Sequence, residues 1–254
     1  MQLERIEQAA AAGRNIEVCM ARTASEIEDA QRLRYRVFAG EMGAKIGDGS
    51  GLDTDRFDSH CRHLIVRDLD RAEVVGTYRI LTPQAALAAG GYYSELEFDM
   101  ARLAHLRPGL LETGRACVHE DYRAGAVLGL LWRGLTHFMQ RNEYRHIVGC
   151  ASIGLADGGR LASRAWRNIR ANHLGPAEYR VFPRVRLPVE ELEGGDDAEL
   201  PPLINSYFKL GAFACGEPAW DPDFNSADIL LMLPLAQMHE RRLRRFGLRI
   251  DAHR

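Results

Sequence analysis

Between residues 110 and 133 the chain changes its hydrophobic period. LLETGRACV alternates, placing Glu112, Gly114, Ala116 and Val118 on one face of an extended strand and Leu111, Thr113, Arg115 and Cys117 on the other. From about Tyr122 onward, Val127, Leu128, Leu131, Leu135 and Phe138 recur at helical spacing. The pattern predicts a strand that hands over to an apolar helix. In a regular strand Glu112 and Arg115 point to opposite faces, and one extra residue near Gly114 would bring them to the same side. A strand that delivers polar groups toward a helix amino terminus suits a phosphate or acyl-carrier site, because free N–H donors face the anion there.

Upstream, the pattern predicts a short helix over 3–12 and a β-branched strand over 15–21. Ser25 and Glu28 read as a capping box for a helix to about Gly40, with Ile27, Ala30, Leu33, Val37 and Phe38 on its apolar face. Residues 43–59 form a Gly/Asp loop without periodicity, long enough to be functional. Strands at 63–68 and 73–81 read as a hairpin, and two short helices fill 83–106. Downstream the pattern predicts a strand at 146–153, a helix at 159–172 and a strand at 179–187. An acidic loop, a helix at 201–210 and strands at 212–215 and 228–233 complete the order. No linker interrupts it, so the expectation is one domain over 1–254, with an extension at 1–14 and a basic tail at 238–254. The order predicts an α/β fold: a mixed, mostly antiparallel central sheet flanked by helices, with one parallel crossing at the long helix.

Composition narrows the class. The 254 residues are 46% hydrophobic and 27% charged, as in a soluble globular enzyme. A net charge of -2 supplies no field for nucleic acid. Five scattered cysteines contain no C-x-x-C pair, which argues against a disulfide framework or a zinc knuckle and for a reducing, cytoplasmic setting. The amino terminus lacks the apolar core of a signal peptide, and the longest apolar runs, 125–132 and 229–233, are too short to span a bilayer. Lys45 and Lys209 are the only lysines; arginine carries the remaining positive charge, a coding bias of GC-rich bacterial genomes.

Several motifs now fall in sequence: Arg34-x-x-Val37-Phe38, Asp53-x-Asp55-x-x-Asp58, VVGTYRIL at 74–81 with Arg79, and Ser94-Glu95-x-Glu97-Phe98-Asp99. LETGRACVHEDYR at 111–123, Leu210-Gly211-Ala212 and Asp221-x-Asp223-Phe224 follow. In these the chain resembles the ornithine Nα-acyltransferases (lyso-ornithine lipid synthases), the hemolysin-like branch of the GNAT superfamily, which is similar to the acyl-homoserine-lactone synthases. The resemblance covers residues 16–235. It implies a GNAT fold and transfer of a 3-hydroxyacyl group from acyl carrier protein to the α-amine of ornithine, with no bound cofactor. The GNAT pyrophosphate loop is degenerate, reading Arg-Ala-Gly-Ala-Val-Leu from Arg123, which favours a phosphopantetheine thioester on a carrier over coenzyme A.

Such a transfer needs a neutral amine, a stabilised oxyanion and recognition of a zwitterion. An α-amine near neutral pH is mostly protonated, so a carboxylate must take its proton, and Glu112 is the expected base. The competing reading makes Glu112 a strand residue paired with an arginine. Arg115 and Arg79 can fork onto the ornithine carboxylate or orient Glu112 and the loop acids. Arg34, Phe38 and Phe98 are expected at the substrate site through the resemblance. Asp53, Asp55 and Asp58 lack calcium-loop spacing, so no metal is expected. One or two of them are expected to meet the ornithine side-chain ammonium, with Asp58 also pairing an arginine. Backbone N–H groups at Cys117 and Val118 are expected to hold the oxyanion, with the Cys117 thiol a packing group. Tyr207 can protonate the leaving thiolate.

Arg160, Arg164, Arg167 and Arg170 share one helical face, opposite Leu161, Ala165, Trp166 and Ile169. Such a row is either a solvated face or a steering surface for an acidic carrier protein. The basic tail offers a peripheral contact with anionic lipid at the inner face of the cytoplasmic membrane. Rival functions are N-acylation of another amino acid, lactone synthesis, and a non-catalytic module that binds carrier protein or membrane.

Overall fold

In the computed structural model the described residues are 7–11, 14–47, 49–192 and 200–238. The basic tail beyond Met238 and residues 193–199 of the acidic loop lie outside them. The strands and α-helices run β1 Glu7–Ala11, β2 Arg14–Met20, α1 Ala24–Tyr35, β3 Arg62–Asp68, β4 Glu73–Leu81, α2 Pro83–Ala88, β5 Phe98–Asp99 and β6 Leu110–Val118. They continue with α3 Ala126–Arg141, β7 His146–Gly154, α4 Arg160–Asn172, β8 Phe182–Pro183, α5 Pro202–Leu210, β9 Phe213–Ala214, β10 Ala219–Asp221 and β11 Ser226–Pro234. The architecture is mixed α/β, with a mostly antiparallel central sheet flanked by helices. Two compact units divide the chain. One comprises Met1–Ala85, Thr113–Tyr144 and Glu240–Arg254; the other comprises Ala86–Glu112 and Arg145–His239.

In the first unit β1, β2, β3 and β4 pair antiparallel in order, and β4 neighbours β6. β3 and β4 are buried almost throughout because both faces are covered. Ile65 and Val74 pack with Ala30 and Leu33 of α1 and with Val37 just beyond its end. The opposite face carries α3: its Gly134 lies against Leu64 and Val18, and Gly76 of β4 lies against Val127 and Leu131. A reciprocal capping box opens α1, but it is Thr23–Glu26, not Ser25–Glu28. The Glu26 carboxylate accepts from Arg22 N at 2.7 Å and from Thr23 N at 3.2 Å. The helix runs on as a π-helical segment, Arg36–Glu41, which carries Phe38. Such insertions recur at functional sites. α3 begins at Ala126 rather than near Tyr122, because Gly125 adopts φ 98°, a left-handed conformation in which an L side chain is disfavoured.

In the second unit β6 contributes Leu110–Glu112, which run parallel to His146–Val148 of β7. β7 pairs antiparallel with β11 over its whole length, and β9 and β10 also pair with β11. α4 packs on β7, and β5 pairs with β8. Two further expectations need correction. Residues 3–12 were expected to be helical, yet Glu7–Ala11 pair with Arg14–Val18 as a strand; ladder bonding overrides the helix preference of the alanines. The strand expected over 179–187 shrinks to Phe182–Pro183 after a 3₁₀ turn, since Pro183 has no N–H to continue a ladder. Among the described residues no helix is long and apolar enough to cross a membrane.

The α3 packing gives a paired prediction. A Cβ at Gly134 would sit 2.8 Å from Leu64 Cδ1 and 3.0 Å from Val18 Cγ2, whereas one at Gly129 meets nothing within 4 Å. Gly134→Ala should destabilise by about 1–2 kcal/mol through overpacking. Gly129→Ala should stabilise by up to about 1 kcal/mol through helix propensity. Urea unfolding of the two variants checks both signs.

Candidate active site

The first unit gathers three arginines onto three aspartates. α1 places Arg34 in the interior with a fully buried side chain. Its Nε donates to Asp53 Oδ2 at 2.8 Å and its Nη2 to Asp58 Oδ1 at 2.9 Å; Nη2 also donates to the Asp53 carbonyl. Arg79, on β4, meets Asp55 at 2.6 Å and Asp58 at 3.2 Å. Arg115, on β6, meets Asp53 at 3.2 Å and Asp55 at 3.3 Å. Its φ of 53° is left-handed, so strand alternation breaks there and the guanidinium turns to the loop acids. For a non-glycine residue that backbone costs about 1–2 kcal/mol, which the two ion pairs offset.

The loop holds its own acids in place. Asp53 N donates to the Gln31 carbonyl of α1, Asp55 N to Asp58 Oδ2, and Phe57 N to Asp55 Oδ1. Burial opposes ionisation of Asp58, but the charges of Arg34 and Arg79 and the Asp55 N–H outweigh it and hold its carboxyl below the usual range. His63, on β3, lies with Nε2 3.2 Å from the Asp58 carbonyl. Burial pushes its pKa down, so it is neutral at pH 7. The three acids, of which one or two were expected to meet a substrate ammonium, thus each have arginine partners.

The second unit holds Glu112, only 4% exposed. Its Oε1 accepts from Ser94 N at 2.7 Å and from Ser94 Oγ at 2.6 Å, and its Oε2 accepts from Tyr93 N at 2.7 Å. The carboxylate therefore caps the 3₁₀ turn Tyr93–Leu96 with groups that would otherwise lack acceptors.

Behind Ser94 stands a second acid group. The donor atoms of Glu97, Cys150 on β7 and Asp228 on β11 lie within 4.8 Å of one another. Burial and then the charges of Asp228 and Asp221 push the Glu97 carboxyl up to about 9. Burial likewise raises Asp228, although Ser226 Oγ donates to its Oδ1 at 2.6 Å. Cys150 is raised by burial and by Glu97 and Asp228, so it stays a thiol. The sequence shows Glu97 and Asp221 within motifs but does not join them to Asp228 and Cys150. The available signal is one acid, Asp228, inside the otherwise apolar strand SADILLMLP.

The remaining expected residues fall as follows. Phe98 is fully buried in β5, Phe38 is half-buried, and Val118 is half-buried with its carbonyl accepting from Arg123 Nε at 3.1 Å. Burial raises the Cys117 thiol to about 12, which suits packing rather than nucleophilic attack. Tyr207 is half-buried in α5. On α4 Arg160, Arg167 and Arg170 are exposed and Arg164 is half-buried, while Ala165, Trp166 and Ile169 are buried.

Arg34→Lys should destabilise the protein by about 3–5 kcal/mol in urea, because one ammonium cannot span Asp53 and Asp58 and leaves a buried carboxylate unpaired. The pH dependence has a defined sign. Both His63 and Asp58 have folded pKa values below their unfolded ones, so the unfolded chain binds protons first and stability falls with acid. The loss should begin below about pH 6.5 for His63 and deepen below about pH 4 for Asp58. Denaturant midpoints across this range check it, and His63→Gln should remove the first decline.

Residues 33–133 match the family described as acetyltransferase (GNAT) domain. The chain is 33% identical to an L-ornithine N(alpha)-acyltransferase of Agrobacterium fabrum, covering 91% of this chain and 85% of that one. It is 34% identical to the enzyme of that name from Rhodobacter capsulatus, covering 95% and 98%. Among solved structures, the AHL synthase LasI superposes with a TM-score of 0.55 at 12% identity, covering 95% of this chain and 100% of LasI. FeeM, an N-acyl amino acid synthase from uncultured soil microbes, superposes with a TM-score of 0.54 at 13% identity, covering 91% and 97%. At those identities the structural likenesses establish the fold, and the whole-length sequence matches establish the family. The chain belongs to the L-ornithine N(alpha)-acyltransferases.

Proposed function

We propose that the protein transfers a 3-hydroxyacyl group from an acyl carrier protein thioester to the α-amine of ornithine, making lyso-ornithine lipid. The observation that carries this reading is identity of a third along nearly the whole length of curated ornithine acyltransferases. The chemistry of β6 supports it. Glu112 is a buried carboxylate held in place by Ser94 and Tyr93, and it is assigned the proton of the amine as the nitrogen attacks the thioester carbonyl. The new C–N bond forms, the C–S bond breaks, and the carrier leaves as a thiol. Tyr207 is assigned the proton donated to that thiolate, and the backbone at Cys117–Val118 the oxyanion. Arg115, with a side chain 12% exposed against 5% for Arg79 and none for Arg34, is the guanidinium assigned to the ornithine carboxylate.

The donor is assigned to carrier protein on two grounds. The loop before α3 lacks the usual pyrophosphate glycines, so only a phosphopantetheine arm is expected at that helix terminus. The exposed guanidiniums Arg160, Arg167 and Arg170 on α4 form a basic row suited to an acidic carrier. No bound cofactor is required, and a cytoplasmic site of action follows from such a donor.

Release of free carrier thiol tests the reading. With 3-hydroxyacyl carrier protein and a panel of amino acids, release should occur with ornithine and be far slower with the same acyl group on coenzyme A. Glu112→Gln should lower turnover by about a hundredfold or more while carrier binding persists. Release with S-adenosylmethionine instead of ornithine would assign lactone synthesis, and silence with every amine would favour a binding module.

A further inference from the structure

The two units settle their buried acids differently. In the first unit every aspartate of the cluster meets a guanidinium. In the second, Glu97, Asp221 and Asp228 have no cationic partner among the described residues, and both Glu97 oxygens are shielded from solvent with the Cys150 thiol and the Asp228 carboxyl beside them. Two carboxylates cannot stay ionised side by side in such surroundings, so they retain a proton. That pair is joined to Glu112. Ser94 Oγ donates to Glu112 Oε1 at 2.6 Å and lies 3.5 Å from Cys150 Sγ. The thiol in turn lies within 4.8 Å of the carboxyl oxygens of Glu97 and Asp228.

The proposed acyl transfer creates a need for such a row. An ammonium and a thioester become an amide, a thiol and one free proton. That proton arrives on Glu112, which is 4% exposed. We propose that Ser94, Cys150 and the Glu97–Asp228 pair form a proton relay that carries the amine's proton away from Glu112. The relay rests on Glu112 being the base of the reaction proposed above.

Each hop breaks one O–H or S–H bond as the next forms, and no electrons are exchanged with any other group. Protonated Glu112 gives its proton to Ser94 Oγ. The serine's own proton passes to Cys150 Sγ, and the thiol's proton passes to the free carboxylate of the pair. The pair then sheds one proton past Asp221, the last residue of β10, where the next residues, Pro222 and Asp223, are exposed. The groups facing Glu97 are Cys150 from β7, Asp228 from β11 and Asp221 from β10, and the charge of Glu112 reaches Cys150 from β6. Cys150 remains a thiol throughout, able to donate and accept without becoming a nucleophile. Ser94, Cys150, Glu97 and Asp228 are thus positioning and relay residues; none is assigned a contact with the reacting atoms.

Two measurements test the relay, one of them independent of turnover. In Glu97→Gln and Cys150→Ala, kcat for ornithine acylation should fall about tenfold or more at pH 7 with KM within about twofold. The deficit should shrink as pH rises, because ornithine then arrives with its amine already neutral. Cys150→Ser, which keeps a hydroxyl in the row, should recover most of the rate. A deficit equal at every pH, or an equal loss in Cys150→Ser and Cys150→Ala, would overturn the relay. Infrared spectra of the wild-type protein at pH 7 should show a protonated carboxyl that titrates near pH 9 and is absent from Glu97→Gln. Lack of that band would overturn the proposal even if the enzyme is active. A wild-type protein that shows the band but acylates no ornithine would refute the functional reading and leave the shared proton established.

Discussion

Arg34 is a guanidinium with no access to water, and the first unit is arranged around its needs. An isolated charge at such a place would cost many kcal/mol. The long loop of residues 43–59 therefore turns inward to deliver Asp53 and Asp58, and its own backbone donors fix those acids before any ligand is present. With Asp55, which the same loop brings in, three acids beside one arginine would leave two negative charges in excess. Arg79 and Arg115 supply the balance, and Arg115 accepts an unfavourable backbone to do so. His63 stays neutral beside them because burial penalises its charged form. Guanidiniums already held in place in this way would lose little freedom on binding a carboxylate, which is what the role proposed for Arg115 would draw on.

The second unit shows the other solution to the same electrostatic problem. Where no guanidinium is available, the carboxyls keep protons, and Glu97 is driven to about 9 by burial and by Asp228 and Asp221. One solution fixes charge, and the other leaves it able to change. An enzyme that must remove a proton from an ammonium can use both, a rigid frame for recognition and a titratable group for transfer.

How much of this the sequence disclosed depends on the range of the interaction. Periodicity places β6 and α3 correctly because each buries a face along its own length. The capping box fails by two residues since Thr23–Glu26 and Ser25–Glu28 fit the same local pattern; a contact from Arg67 Nη1 to Glu26 at 3.1 Å, invisible to local reading, accompanies the choice made. The alanine-rich start reads as helix until its partner β2 is known. At the site, Asp53, Asp55, Asp58, Arg79 and Glu112 stand out by type and motif. Their pairing is legible only in outline, Asp58 with an arginine and Arg79 or Arg115 with the loop acids; the specific set is not, because the partners come from α1, β4 and β6, and the turn of Arg115 rests on a single dihedral angle. Asp228, Cys150 and Glu97 lie on three separate strands or turns, so only the folded sheet unites them.

The first unit is assembled from pieces that are not neighbours in sequence, with residues 86–112 belonging to the other unit. On the ribosome, Arg34, the aspartate loop and Arg79 are all made before Arg115 and α3. The strand that balances the loop acids and the helix that covers the second face of β3 and β4 arrive only after a stretch destined for elsewhere. A nascent chain stopped before residue 113 would expose the apolar face made by Leu64 and Val18, together with acids short of one cation. The arrangement that completes the finished site thus delays its assembly until the late segment emerges.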